Sequence, residues 1–308
     1  MTRVDICICT FRRGSLVETL ASLMALDLPG DVEASVIVVD NDTTPSAETA
    51  VTQFAATSPL PVRYLHRPAG NISVARNGAL DASGARFVAF IDDDETAQAG
   101  WLRALLKQRA ISAAAVVLGP VEPRFADCTP DWVRKSGLHA TRPVWRGGEI
   151  TTGYTCNVLI DREHPALADR RFDPGLGQSG GEDTDFFSAA HAEGARIAYA
   201  EGAVVEEPVP AARTDFRWLA RRRYRMGQTH AHVLTTRLGH SRWTALPLAL
   251  AKAAACGTLG LATLPAPRHR NPALLRAALH LGVVAGLAGH RGLKLYGLTQ
   301  PTLGAHPE

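Results

Sequence analysis

Along the first half of the chain, short unbroken apolar runs alternate with stretches whose apolar residues recur every three or four positions. The runs Val4–Cys9, Ser35–Val39, Val62–His66, Phe87–Ile91 and Ala115–Leu118 read as strands. Between them Ser15–Leu26, Ser46–Ala56, Ser73–Ala82 and Trp101–Ala110 read as helices. Ser15 followed by Glu18 has the spacing of a capping box, and Ser73 stands where an N-cap would open the third helix. Strands that are apolar throughout are covered on both faces, which predicts a largely parallel sheet with flanking helices, an α/β nucleotide-binding layout. In such folds ligands sit beyond the carboxyl ends of the strands.

Residues 120–180 break this rhythm with Pro120, Pro123, Pro130, Pro143 and Gly147-Gly148, and are expected to form loops and short strands shaping an acceptor side. A helix over Asp183–Glu193 and a strand over Arg196–Tyr199 follow. From Thr214 the pattern turns helical and basic, then runs into two Ala/Leu-rich stretches, Trp243–Leu264 and Ala273–Gly289. The overall charge of +3 conceals an asymmetry. Residues 1–210 hold 19 Lys and Arg against 28 Asp and Glu, a net of −9, while residues 211–308 hold 14 against 2, a net of +12. The expected organisation is therefore a catalytic domain over 1–210, with nucleotide binding over about 1–119 and the acceptor side over about 120–210. A basic helical extension follows over 211–308. An acidic body with a basic end points to an anionic partner for that end.

At 46% hydrophobic and 20% charged residues the chain is suited to a buried core rather than disorder. Cys7, Cys9, Cys128, Cys156 and Cys256 are odd in number and lack CxxC spacing, so neither a zinc site nor a disulfide framework is indicated. With no room for a signal sequence before Val4, these features predict a reduced, cytoplasmic setting.

Four clusters after the strands carry candidate chemistry. Asp92-Asp93-Asp94-Glu95 follows the fourth run, and four consecutive acids repel one another unless a cation or hydrogen-bond donors offset them. Mg²⁺ or Mn²⁺ suits such oxygen donors, although a solvated acidic turn before the next helix has the same pattern. Gly180-Gly181-Glu182-Asp183 places carboxylates at a helix start, fit either for N-capping or for a general base facing a cleft. Gly70-Asn71-Ile72-Ser73-Val74-Ala75-Arg76-Asn77 feeds glycine into a helix start with an arginine one turn in, suited to a diphosphate or to an ordinary capped helix. Thr10-Phe11-Arg12 and Asp40-Asn41 follow the first two strands, where turn formers are also normal.

Taken in order, CTFRR, VVDND, GNISVARN, FIDDDE and GGEDTDFF resemble the motifs of the family 2 glycosyltransferases of the GT-A fold, especially the bacterial exopolysaccharide, succinoglycan-type glucosyltransferase branch. The resemblance covers about residues 3–200 closely and Trp218–Gln228 more loosely. It implies an inverting, metal-dependent transfer of a sugar from a nucleotide donor, with UDP-glucose as the donor expected. It matches Thr10, Arg12 and Asp40 to nucleoside-holding positions, and Arg76 and Asn77 to the donor-side ARN motif. Asp92 and Asp94 match the DxD acids, Asp92 towards the nucleotide and Asp94 as direct metal ligand. Glu182 and Asp183 match the catalytic ED pair, with Asp183 the base, and Asn157 matches an asparagine facing the sugar. Many relatives carry a histidine metal ligand after the ED helix. Here that stretch is Val205-Glu206-Glu207-Pro208, so either Glu207 replaces it or the metal is held by Asp94 and the diphosphate alone.

Competing classes fare worse. An oxidoreductase needs GxGxxG after the first strand, where Thr10-Phe11-Arg12-Arg13-Gly14 stands, and a pyrophosphorylase needs a GxGxR-type loop there. A non-catalytic sugar-nucleotide scaffold would not need Asp183 beside intact Asp92 and Asp94. Arg217, Arg221, Arg222, Arg223 and Arg225 with Trp218 and Tyr224 suit a solvated face, a nucleic acid, or anionic lipid. The apolar stretches after them favour a membrane surface, with a lipid-linked saccharide acceptor and no nucleic-acid partner. In Trp243–Leu264 six leucines contribute roughly −3 kcal/mol to insertion while Lys252 costs about 2.5–3.5, so peripheral attachment at the inner face of the plasma membrane is expected rather than a span. Ala273–Gly289 reads as an interfacial helix.

Overall fold

The computed structural model describes residues 1–236, Gly239 and 241–290. The first half runs β1 (Thr2–Thr10), α1 (Leu16–Leu23), β2 (Val32–Asp40), α2 (Glu48–Thr57), β3 (Val62–His66), α3 (Ile72–Ala82), β4 (Phe87–Ile91), β5 (Thr96–Ala97), α4 (Trp101–Ser112) and β6 (Val116–Leu118). There follow β7 (Val121–Phe125), α5 (Asp131–Arg134), β8 (Trp145–Arg146), β9 (Glu149–Ile150), β10 (Asn157–Asp161), α6 (Pro165–Ala168), α7 (Glu182–Ala192), β11 (Ile197–Tyr199) and β12 (Val205–Val209). Three long helices follow: α8 (Phe216–Thr236), α9 (Arg242–Ala262) and α10 (Pro267–Leu287).

The central sheet has the order β3-β2-β1-β4-β10-β6-β11. All its pairings are parallel except those of β10, which runs antiparallel to both β4 and β6. Val4, Ile6 and Ile8 pack into one apolar layer and Cys7, Ile37 and Val39 into the other, as strands apolar on both faces require. Because β10 is reversed, its first residue pairs with the last of β4, Asn157 opposite Ile91, so Cys156 arrives beside Asp92. Thr10 pairs with Asp40 at the same edge. A second sheet, β5-β12-β7, closes over that edge and carries Glu207.

Two of the expected caps differ. The third helix is capped by Asn71, whose Oδ1 accepts from the amides of Ser73 at 3.0 Å and Val74 at 3.3 Å, while the Ser73 hydroxyl donates to the Asp173 carbonyl. Ser15 is itself helical, with φ −63° and ψ −19°, and makes no capping bond, since a cap needs extended backbone to turn its oxygen back.

The basic end differs more. Helix α10, expected to be interfacial, packs between α8 and α9, burying Leu275, Ala277, Val283 and Leu287. Small residues allow this: a Cβ on Gly282 would meet the Tyr224 carbonyl oxygen at 1.8 Å, and one on Gly227 the Leu279 carbonyl oxygen at 2.0 Å. Helix α9 is long and apolar enough to cross a membrane by length and composition, and most of it is exposed, with Trp243 at 79% and Leu261 at 64%.

Helix α8 joins the acceptor side through stacked rings, His139 lying on Trp218 with centroids 5.9 Å apart and meeting Phe125 edge-on. Burial holds the His139 imidazole neutral down to about pH 4, and Arg222 and Arg213 add to the shift. The unfolded chain takes up this proton near pH 6.5, so the contribution is fully present above 6.5 and lost as pH falls towards 4. His139→Phe is expected to flatten the loss of melting temperature between pH 6.5 and 4.5, by at most about 3 kcal/mol. Parallel wild-type and variant curves would show that His139 does not titrate there.

Candidate active site

Four acids turn tightly at the end of β4. The Glu95 amide donates to the Asp92 carbonyl, and the Asp92 amide to the Glu95 carboxylate, each at 3.2 Å. Asp93 and Glu95 are buried, and Asp92 is half-buried, with 44% of its side chain meeting solvent. Burial, reinforced by Asp94, Asp93 and Glu207, raises the Asp92 carboxyl to about 7 despite Arg76. Burial likewise raises Asp93, which lies against Thr10, to about 6. Such mutual repulsion is what a divalent cation relieves. The donor set fits one. Asp94 and Glu207 share the Arg213 guanidinium, Arg13 also reaches Asp94, and ligand atoms of Asp92, Glu95 and Cys156 lie within 4.8 Å of one another. Carboxylate oxygens of this kind suit Mg²⁺ or Mn²⁺.

The motif at the start of α7 reaches the same place. Gly180 and Gly181 have φ of +86° and +99°, a left-handed pair that reverses the chain into the helix. Glu182 is buried and ion-paired to Arg76, whose Nη2 lies 3.9 Å from Asp92. Arg76 engages Glu182 Oε1, and Oε2 is buried without a hydrogen-bond partner among the described residues. The neighbouring Asp183 is half-buried: its Oδ1 accepts from the Thr184 amide at 2.6 Å, and its Oδ2 has no hydrogen-bond partner among the described residues. Thr229 of α8 backs this turn, because a Cβ on Gly181 would meet its methyl at 2.6 Å. Gly181→Ala is expected to cost at least about 1–2 kcal/mol from the left-handed backbone and to lower transfer by displacing Asp183. Wild-type stability and rate would show that the turn adapts.

Only Arg76 of the α3 motif faces the acids. Asn77 donates to the Phe172 carbonyl at 2.9 Å and accepts from the Phe172 amide at 2.8 Å, so its amide is consumed. Asn71 donates to the Pro174 carbonyl, and Ser73 to that of Asp173. The motif ties α3 to the loop before α7 through Asn71, Ser73 and Asn77.

Asp40 is wholly buried and spent on the amides of Asp42 and Ala47 and the Tyr64 hydroxyl. The carboxylate beside Arg12 is instead Asp42, its Oδ1 2.8 Å from Nε, a hydrogen bond that holds the Asp42 carboxyl down at about 2. Arg12 has φ +53° and a side chain 44% exposed, while Thr10 and Asp42 beneath it are buried. Asn157 is equally enclosed. It accepts from Trp101 Nε1 at 2.8 Å and donates to the Pro120 and Ala203 carbonyls, tying the start of β10 to the segments that lead into β7 and β12. Asp42 was visible within VVDND, whereas nothing in the sequence marks Arg213 as a neighbour of Asp94. A separate open groove of about 750 Å³, lined by Trp132, Asp215, Phe216, Leu264, Arg270 and Leu274 among others, adjoins the tip of α9 and includes none of the acids after β4 or at the start of α7.

Comparison with known proteins agrees with this geometry. The model of glycosyl transferase family 2 matches residues 5–164. Succinoglycan biosynthesis protein ExoM of Rhizobium meliloti (strain 1021) is 45% identical over 301 residues, 97% of each chain. Among solved structures, mannosyltransferase PcManGT from Pyrobaculum calidifontis, in complex with GDP-Man and Mn²⁺, superposes with a TM-score of 0.64 at 20% identity, over 92% of this chain and 86% of that one. TarS 1-349 of S. aureus in complex with UDP-GlcNAc gives 0.52 at 18% identity, over 94% and 90%. The chain spans 54% of the longer TarS chain. The mixed sheet, the acids that end β4 and the match over residues 5–164 agree: this chain belongs to glycosyl transferase family 2 and has the GT-A fold.

Proposed function

We propose that this enzyme transfers glucose from UDP-glucose, with inversion and with a divalent cation, to a lipid-linked saccharide at the inner face of the plasma membrane during exopolysaccharide synthesis. The observation that carries the reading is Arg76, which joins Glu182 at the start of α7 to Asp92 at the end of β4 and so sets Asp183 beside the acid cluster. Asp183 takes the proton of the acceptor hydroxyl on Oδ2 as that oxygen attacks the anomeric carbon. The bond from that carbon to the nucleoside diphosphate breaks on the opposite side. One base and no protein nucleophile give inversion, so an α-linked donor yields a β-linked product. Arg12, held by the buried Asp42 next to Thr10 at the end of β1, receives the nucleoside, and Arg76 keeps the base in register. Asp94, with Asp92 and Glu207 near it, would hold the cation, which when bound would supply Lewis-acid screening of the leaving diphosphate.

The donor reading draws on the relative concerned with succinoglycan biosynthesis and on the neighbour solved with UDP-GlcNAc. Thermal shift across a panel of nucleotide sugars, with and without Mn²⁺, tests it. UDP-glucose with Mn²⁺ is expected to stabilise most, by about 2.7 kcal/mol at a hundredfold excess over Kd. Stabilisation by GDP-mannose and not by UDP-glucose would reject the donor.

Attachment to the membrane draws on the exposed apolar side of α9 and the basic charge around it. The variant with Trp243, Leu259 and Leu261 changed to Gln is expected to lose flotation with anionic vesicles at low salt. Flotation equal to wild type would move the contact elsewhere, and wild type that resists carbonate would indicate insertion.

A further inference from the structure

Arg213 ends the short 3₁₀ turn after β12, and its guanidinium joins two sheets. Nη1 lies 2.8 Å from Glu207 Oε1 and Nη2 lies 3.7 Å from Asp94 Oδ2. Arg13, from the loop after β1, reaches the same Asp94 oxygen at 3.5 Å. The Arg213 side chain is 25% exposed and lies over the Trp218 ring, which also receives Arg222. It is therefore held but not locked.

We infer that Arg213 is an exchanging clamp. In the free enzyme it bridges Asp94 and Glu207, and when a divalent cation takes those carboxylates it turns, together with Arg13, onto the oxygens of the donor diphosphate. The inference rests on the reading of Asp94 as a cation ligand. A guanidinium fork and a directly bonded dication need the same carboxylate oxygens, and the two positive groups repel if both remain. Released, a planar fork matches oxygens of a diphosphate. A diphosphate carries more negative charge than one dication offsets, so a second cationic group favours its departure. The residue comes from the junction with α8, which gives the basic end a part in the chemistry as well as in attachment.

Competition and hand-over predict effects of opposite sign. In full-length Arg213→Gln, the affinity for Mn²⁺ alone, read by electron paramagnetic resonance, is expected to tighten by roughly three- to tenfold, because a competitor is gone. The affinity for UDP at saturating Mn²⁺, read by calorimetry, is expected to weaken by about tenfold or more. A purely structural role would weaken both. Arg213→Met, which keeps an aliphatic stem over Trp218, serves as the second variant and is expected to give the same pair of shifts. Mn²⁺ affinity that is unchanged or weaker, or UDP affinity that is unchanged, overturns the clamp. Asp94→Asn separates the two readings: if it leaves Mn²⁺ binding intact, the cation site itself is misplaced, whereas if it abolishes binding while the Arg213 variants behave as wild type, only the clamp fails.

Discussion

Asp183→Asn is expected to keep nucleotide affinity and to lose transfer by about 10²–10⁴-fold. The asparagine oxygen can still accept from the Thr184 amide, as Asp183 Oδ1 does at 2.6 Å, so the first turn of α7 keeps its local bond. The new amide nitrogen replaces Oδ2, which has no partner among the described residues, so no buried network is broken. Glu182 remains paired with Arg76, and the acid cluster after β4 is untouched. What is lost is basicity alone, which would lower kcat while UDP binding stays as before. Transfer within threefold of wild type would assign the proton to another group.

The second large effect is at Asp94. Asp94→Asn is expected to abolish the Mn²⁺-dependent part of stabilisation by UDP, about 2.7 kcal/mol at a hundredfold excess, while the apo protein melts nearly as before. The apo protein has little to lose. Asp94 meets Arg13 at 3.5 Å and Arg213 at 3.7 Å, pairs open enough to solvent to contribute roughly 0–1 kcal/mol each. Full stabilisation by UDP and Mn²⁺ in the variant would remove Asp94 from the cation site.

The sequence and the structure agree most closely where periodicity and strand ends govern. Val62–His66 and Phe87–Ile91 are strands with the bounds their apolar runs predict, and the acids follow β4 as read. The structure departs where the direction of a polar side chain matters. Asp40, Asn77 and Asn157 stand in motifs that line the cleft, but each spends its hydrogen bonds inside the fold. Residue type shows that a partner is needed and not where it lies. The reversed strand β10 was hidden in a stretch rich in proline and glycine, and its reversal is what brings Cys156 to Asp92. Helix α10 read as interfacial because Arg276 and His280 share a face; its close packing on α8 at Gly282 and Gly286 was not legible, because it depends on a partner helix. Arg213 meets Asp94 only through the pairing of the second sheet with its neighbours, a long-range contact with no local pattern.

The most direct test of the account is the fate of the anomeric centre. Purified full-length enzyme, Mn²⁺, UDP-glucose and lipid-linked acceptor are incubated together, and the first glycosidic product is read by proton nuclear magnetic resonance. The account predicts a β-linked product from the α-linked donor, formed only with the cation and lost in Asp183→Asn. An α-linked product would require retention and a different catalytic group, and a β-linked product undiminished in Asp183→Asn would contradict the assignment of the base.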